Sequence, residues 1–187
     1  NNDPKIASDP QLLGEMCDLL EFQLEHPGDE KLTEFVTHAV GAFQTSEGKL
    51  ANGQTVSPFS ALSHAIDGKF DNKIRIAAAM SLAKHASREP GKIEDASAVE
   101  SLGKAAQDDN SDLRQVAVYA LGFFGGPRSS EILRERIAAD PDRFVRYNAA
   151  IALAGRSDPA ALPTLREMLT TSQLDEVLGR VPEIVDP

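Results

Sequence analysis

The sequence predicts an all-α fold: a solenoid of about four helical hairpins closed by a C-terminal half-repeat. Three observations predict it. First, three segments align on an arginine: Ile74-Arg75, Leu113-Arg114 and Val145-Arg146. Those arginines lie 39 and 32 residues apart, a spacing typical of two-helix repeats. Second, the alignment keeps its register. Ala78, Ala117 and Ala149 stand three residues on, and Leu82, Leu121 and Leu153 stand seven on. Third, the segments between them repeat too. "DPQLLGEMCDLL" (9–20) and "DPAALPTLREML" (158–169) align without a gap.

The first predicted helix, 10–25, starts with Asp9 as cap and Pro10 in the first turn, where the missing N–H costs nothing. The second, 30–45, carries "LTEFVTHAVGAF", in which Leu32, Val36, Ala39, Val40 and Gly41 keep the register and Thr33 replaces the arginine. Together they form the hairpin 10–45. Ser57-Pro58 opens helix 58–67, and Asp71 precedes 72–86, giving the hairpin 58–86. Asp95 opens 96–107, paired with 111–125 in the hairpin 96–125. "PRSSEILRERI" (127–137) places a helix at 129–139, followed by 143–155 behind Asp142, which makes the hairpin 129–155. Asp158-Pro159 opens a terminal half-unit, 159–181, with helix 159–171 and a short last helix spaced by Leu174, Val177, Leu178 and Val181. Two longer connections, 45–56 and 87–94, are polar and turn-rich and read as surface loops. The whole of 1–187 reads as one repeat domain.

On a helix each step turns 100°. With Arg75 at 0°, Ile74, Ala78, Ala79, Ser81, Leu82 and His85 fall between roughly 240° and 40°. The arginine therefore sits inside an apolar arc. An unpaired guanidinium there would be very costly, so it must have a partner. The opposite arc, about 80° to 200°, should face solvent and be polar. Instead it carries Phe35, Ile76, Met80, Val116, Tyr119, Phe123, Tyr147 and Ile151, with His38 beside them. Leaving such side chains exposed forgoes roughly 1.5–3 kcal/mol each, and a large apolar patch usually marks an interaction surface. Burial by neighbouring helices, or by the tail "VPEIVDP" (181–187), is the competing explanation.

The pattern resembles the HEAT repeat family, in particular the bacterial HEAT-like form also seen in phycobilisome bilin lyases. The Asp-x-x-(Ile/Val)-Arg starts at Asp71/Arg75 and Asp142/Arg146, and the Ala-Leu-(Ala/Gly) ends, carry the likeness. In the third unit Asn110 takes the aligned place and the acid is displaced to Asp112. The resemblance implies a right-handed, armadillo-like solenoid. It also implies an Asp–Arg ladder through Asp71, Arg75, Asp112, Arg114, Asp142 and Arg146, and a concave surface lined by the second helix of each hairpin. The expected function is protein–protein interaction or scaffolding, with a protein or peptide partner on the apolar concave stripe. Bilin-lyase-like activity, chaperone-like activity and a purely structural spacer are the alternatives.

Charge and composition narrow the classes. The net charge is −10, and residues 1–56 hold ten acids against three bases, so nucleic acid is a poor partner. No apolar run is long enough to span a bilayer. The four histidines form no i, i+3 or i, i+4 pair, and there is no CxxC, so no metal site is expected. His-Glu dipeptides, used by di-iron HEAT-type hydroxylases, are absent. No phosphate-cradling loop or Gly-x-Ser-x-Gly elbow appears, so no catalytic residue and no cofactor is assigned. Cys17 alone cannot form an intramolecular disulfide, which tilts the expected compartment towards the reducing cytoplasm. The chain opens on Asn1 rather than Met, so any targeting signal lies out of view, and the chain is compatible with being one domain of a longer parent.

Overall fold

The computed structural model describes residues 4–67 and 69–169. A short α1 (Pro4–Ala7) leads into α2 (Pro10–Glu25) and α3 (Glu30–Ala42). A two-stranded ribbon, β1 (Gly48–Lys49) and β2 (Thr55–Val56), follows. Then come α4 (Pro58–Ile66), α5 (Asn72–Ala86), α6 (Ala96–Ala105), α7 (Ser111–Leu121), α8 (Gly126–Ala139) and α9 (Arg143–Ala154). A 3-10 turn, Pro159–Ala161, precedes α10 (Leu162–Met168). The helices stack in two layers: α2, α4, α6 and α8 in one, α3, α5, α7 and α9 in the other. This is an all-α solenoid of stacked helical hairpins.

Local chemistry sets the starts. Asp9, Asp29, Ser57, Asp71, Asp95, Asn110 and Asp142 each sit outside the helical conformation and accept from amides of the first turn. Each such cap contributes about 1 kcal/mol. Between the layers lies a core of Leu and Ala. Leu82, Leu121 and Leu153 are fully buried in equivalent positions, as are Ala78, Ala117 and Ala149. Small residues bring the second-layer helices close. A side chain on Gly41 would overlap Ser81, and one on Gly122 would meet Ala152 Cβ at 3.0 Å.

Three expectations are corrected. The helix predicted over 111–125 stops at Leu121, and α8 begins at Gly126. Phe124 is the reason. It is fully buried, and its main chain pairs in parallel with Ile93. Gly91 N–H donates to Phe123 O at 2.8 Å and Gly125 N–H to Ile93 O at 2.8 Å. Segment 87–94 is thus tied to the α7–α8 corner rather than free. The second correction concerns 45–56, which folds into the ribbon with Gly48 opposite Val56 and Lys49 opposite Thr55. That ribbon lies on α2, where Gly14 leaves no room for a side chain against the Lys49 backbone. The third is α3, which ends at Ala42, short of 45. The expected last helix, with Leu174, Val177, Leu178 and Val181, and the tail 181–187 lie outside the described residues. Among the described residues no helix is long and apolar enough to cross a membrane.

Candidate functional site

Each buried arginine of the second layer reaches forward by one hairpin. Arg75 Nη2 meets Asp108 Oδ2 at 2.7 Å, in the turn between α6 and α7. Its Nε donates to Ile66 O at 3.0 Å and Nη1 to Asn72 Oδ1 at 2.9 Å. Arg114 donates through Nε and Nη2 to Asp140, at 3.1 and 3.3 Å, in the turn between α8 and α9. Its Nη1 donates to Asp108 O and Asp109 O. Arg146 Nη1 donates to Asp140 O and Pro141 O, and Nη2 approaches Glu167 at 3.4 Å. Arg75 and Arg114 keep only 8% and 9% of their surface, while Arg146 is half-buried.

The acids differ from those expected. Asp71 and Asp142 are helix caps whose carboxylates accept from Lys73 N and Phe144 N. Each is held by the first-turn amide of its own helix, and neither pairs with an arginine of the preceding hairpin among the described residues. Asp142 also takes a bond from Gln115 Nε2 at 3.1 Å, which joins adjacent units but not through an arginine. Asp112 is exposed in the first turn of α7. The partners are instead the acids two residues before the cap, Asp108 and Asp140. Their Oδ1 atoms accept from Asn110 N and Asp142 N at 2.9 Å. Burial pushes the Asp108 carboxyl up, but the Asn110 amide and the hydrogen bond and charge of Arg75, aided by Arg114, outweigh it and hold it below its ordinary value.

The first two hairpins are joined differently. Thr33 stands where an arginine would, and Lys69 where its acid would. Ser81 Oγ donates to Thr37 O at 3.0 Å, and His85 Nε2 lies 3.0 Å from Val40 O. Arg88 Nη1 lies 2.9 Å from His85 Nδ1. A guanidinium only donates, so Nδ1 accepts and Nε2 carries the proton. Desolvation, partly opposed by the Val40 bond and reinforced by Arg88 and Lys84, lowers the His85 pKa to about 4.

The apolar stripe separates into columns. Five residues after the arginine position stand His38, Met80, Tyr119 and Ile151, one on each of α3, α5, α7 and α9, and all four are exposed. Ile76, Val116, Phe123 and Tyr147 are half-buried. Phe35 is 69% exposed, yet its equivalent Ala77 is only 2% exposed. Asn148, in the same column, reaches Gln115 O of the preceding helix at 3.4 Å. This column faces the preceding hairpin, so Phe35 with Leu32 belongs to the open end of the stack rather than to the row.

Two clefts of about 370 and 400 Å³ flank Tyr119. The first holds His38, Met80 and Lys84, and the second holds Phe123, Ile151 and Arg156. The Tyr119 and Phe123 rings meet edge to face at 5.1 Å. Neither cleft is lined by a carboxylate, though the chain carries 29 acids. Arg156 was missed from the sequence. It donates to Ser129 Oγ and Ser130 Oγ, at 2.8 and 2.7 Å, and to Leu121 O and Phe124 O, at 2.8 and 2.6 Å. Its signal was positional: it sits two residues beyond the Ala-Leu-Ala end, over the carbonyl end of the neighbouring helix. Among the described residues no three His, Cys, Asp or Glu side chains are placed to hold a metal ion. Burial, with the Glu21 charge adding to it, pushes the Cys17 thiol up to about 12.

Compared with known families, residues 59–154, just over half the chain, match HEAT repeats, and residues 145–171 match the PBS lyase HEAT-like repeat. No curated protein sequence matches the chain.

Proposed function

We propose, from the premise that this chain belongs to the HEAT repeat family, that it holds a segment of a partner protein on the exposed row of its second-layer helices. HEAT repeats serve generally as protein-interaction and scaffold modules. The observation that carries the finer reading is the row itself. Met80, Tyr119 and Ile151 stay exposed on three successive second-layer helices, while the apolar Ile76, Val116, Phe123 and Tyr147 beside them are half-buried. Two clefts give the row depth, with Tyr119 as the ridge between them. Lys84 and Arg156, with no lining carboxylate, favour a segment that is apolar with acidic flanks.

The test is a peptide-display selection against the folded chain, followed by affinity measurement on two proteins. Wild type should bind the selected peptides, and Tyr119→Glu with Ile151→Glu should lose at least about tenfold in affinity, as removing central aromatic and aliphatic anchors does. Both positions are exposed, so the helical signal should persist. Unchanged affinity in that variant sinks the reading.

A second reading rests on the match of residues 145–171 to the PBS lyase HEAT-like repeat. A tetrapyrrole would stack on Tyr119 and Phe123 and set its propionates against Lys84 and Arg156. Incubation with bilin and a visible absorbance scan separates the two, since a peptide groove leaves the pigment spectrum unaltered.

A further inference from the structure

The repeat provides its own control for the first layer. Helices α4, α6 and α8 expose no large hydrophobic side chain, whereas α2, in the same place in its hairpin, exposes Leu19 and Phe22, the latter to 54%. These two flank a cleft of about 600 Å³ whose far wall is the β1–β2 tip, Leu50 to Asn52. The tip is held in shape. Leu50 N–H donates to Gln54 O at 2.9 Å, and Gln54 N–H to Asn52 Oδ1 at 2.8 Å. Gly14 and Gly48 let the ribbon sit backbone to backbone on α2. Glu15 and Asp18 line the same cleft, and its lining includes no cation. Asp18 forms no ion pair among the described residues.

We propose that this cleft docks a basic amphipathic helix of a partner protein. The spacing Glu15, Asp18, Leu19, Phe22 runs along one face of α2, so a helix laid beside it would meet carboxylates and apolar side chains at three- and four-residue intervals. Lysines or arginines flanking a Leu or Phe stripe complement that face. The acidic setting decides among occupants. Phosphate-rich surfaces are repelled by it, and a second copy in a symmetric pairing would oppose carboxylate to carboxylate.

The proposal is independent of the groove at Tyr119. Its test uses two labelled helical peptides with the same Leu and Phe face, one flanked by lysine and arginine and the other by glutamate, read by fluorescence anisotropy. The basic peptide should bind at least about tenfold more tightly than its counterpart. Leu19→Ser with Phe22→Ser, which leaves every charge in place, should weaken it by about tenfold. Tyr119→Glu with Ile151→Glu should bind it within about twofold of wild type, because its substitutions lie on the other layer. Equal binding of both peptides, unchanged binding by the Ser variant, or self-association abolished by that variant would overturn the proposal.

Discussion

Asp140, only 3% exposed, accepts both Nε and Nη2 of Arg114 from the neighbouring hairpin. Arg136 Nη1 stands 3.7 Å from the same carboxylate. One acid therefore joins two successive units and is flanked by two guanidiniums. Its removal leaves charge buried without a counterion. Asp140→Ala is expected to cost about 3–5 kcal/mol, and Arg114→Ala a similar amount. Replacing both by leucine should cost much less than the sum. Urea denaturation of the three variants measures this, and full additivity would show that the two side chains are not coupled.

His85 should make stability depend on pH. Its folded-state pKa is about 4, below its ordinary value of 6.5. Between those values the unfolded chain binds a proton that the folded one refuses, because burial disfavours the imidazolium, Nδ1 already accepts from Arg88, and Nε2 already carries the proton it donates to Val40 O. Stability is thus complete above about pH 6.5 and falls as pH drops towards 4, by about 3 kcal/mol at most. His85→Gln, whose amide can donate to Val40 O and accept from Arg88, should flatten that part of the curve. Melting curves across the window decide it, and identical slopes for the two proteins would refute the assignment.

Gly14 is a contact between backbones. A Cβ there would overlap the Lys49 main chain, so Gly14→Ala should displace the ribbon, with a cost of roughly 1–3 kcal/mol. Limited proteolysis within 45–56 should speed up in the variant. Unaltered cleavage would mean that the ribbon is anchored elsewhere.

Cys17, 2% exposed and with its thiol pushed up to about 12, should resist alkylation in the folded chain. Thiol labelling should require denaturant, and rapid labelling of the native protein would contradict its burial.

How much of this was legible depends on where the signal lies. The two-helix period and the paired arginines could be read because the register of Arg75, Arg114 and Arg146 repeats with the apolar arc around it. Their acids were misplaced: Asp140 lies two residues before the expected Asp142, Asp108 lies four before the expected Asp112, and two residues before Asp71 stands Lys69 rather than an acid. Asp71 and Asp142 look like partners but serve as caps, while Asp108-x-Asn110 and Asp140-x-Asp142 recur in the same register and hold the actual ones. Asn52-Gly53 marks a turn, and Gly53 adopts φ 84° there, but strands of two residues are too short to leave an alternating pattern. The early end of α7 depends on Phe124 finding Ile93, a contact between distant segments that local propensity does not encode. In the candidate site, His38, Met80, Tyr119 and Ile151 follow from helical periodicity. The different standing of Phe35 does not, since it reflects which hairpin has no predecessor in the described stack.

The chain has no Trp and two Tyr, Tyr119 and Tyr147, so in a Tyr147→Phe background intrinsic emission reports on Tyr119 alone. Acrylamide quenching of that emission, free and saturated with a selected peptide, tests the exposed row most directly. The groove reading predicts that bound peptide cuts the quenching constant several-fold. Undiminished quenching in the fully bound complex would place the partner elsewhere and contradict it.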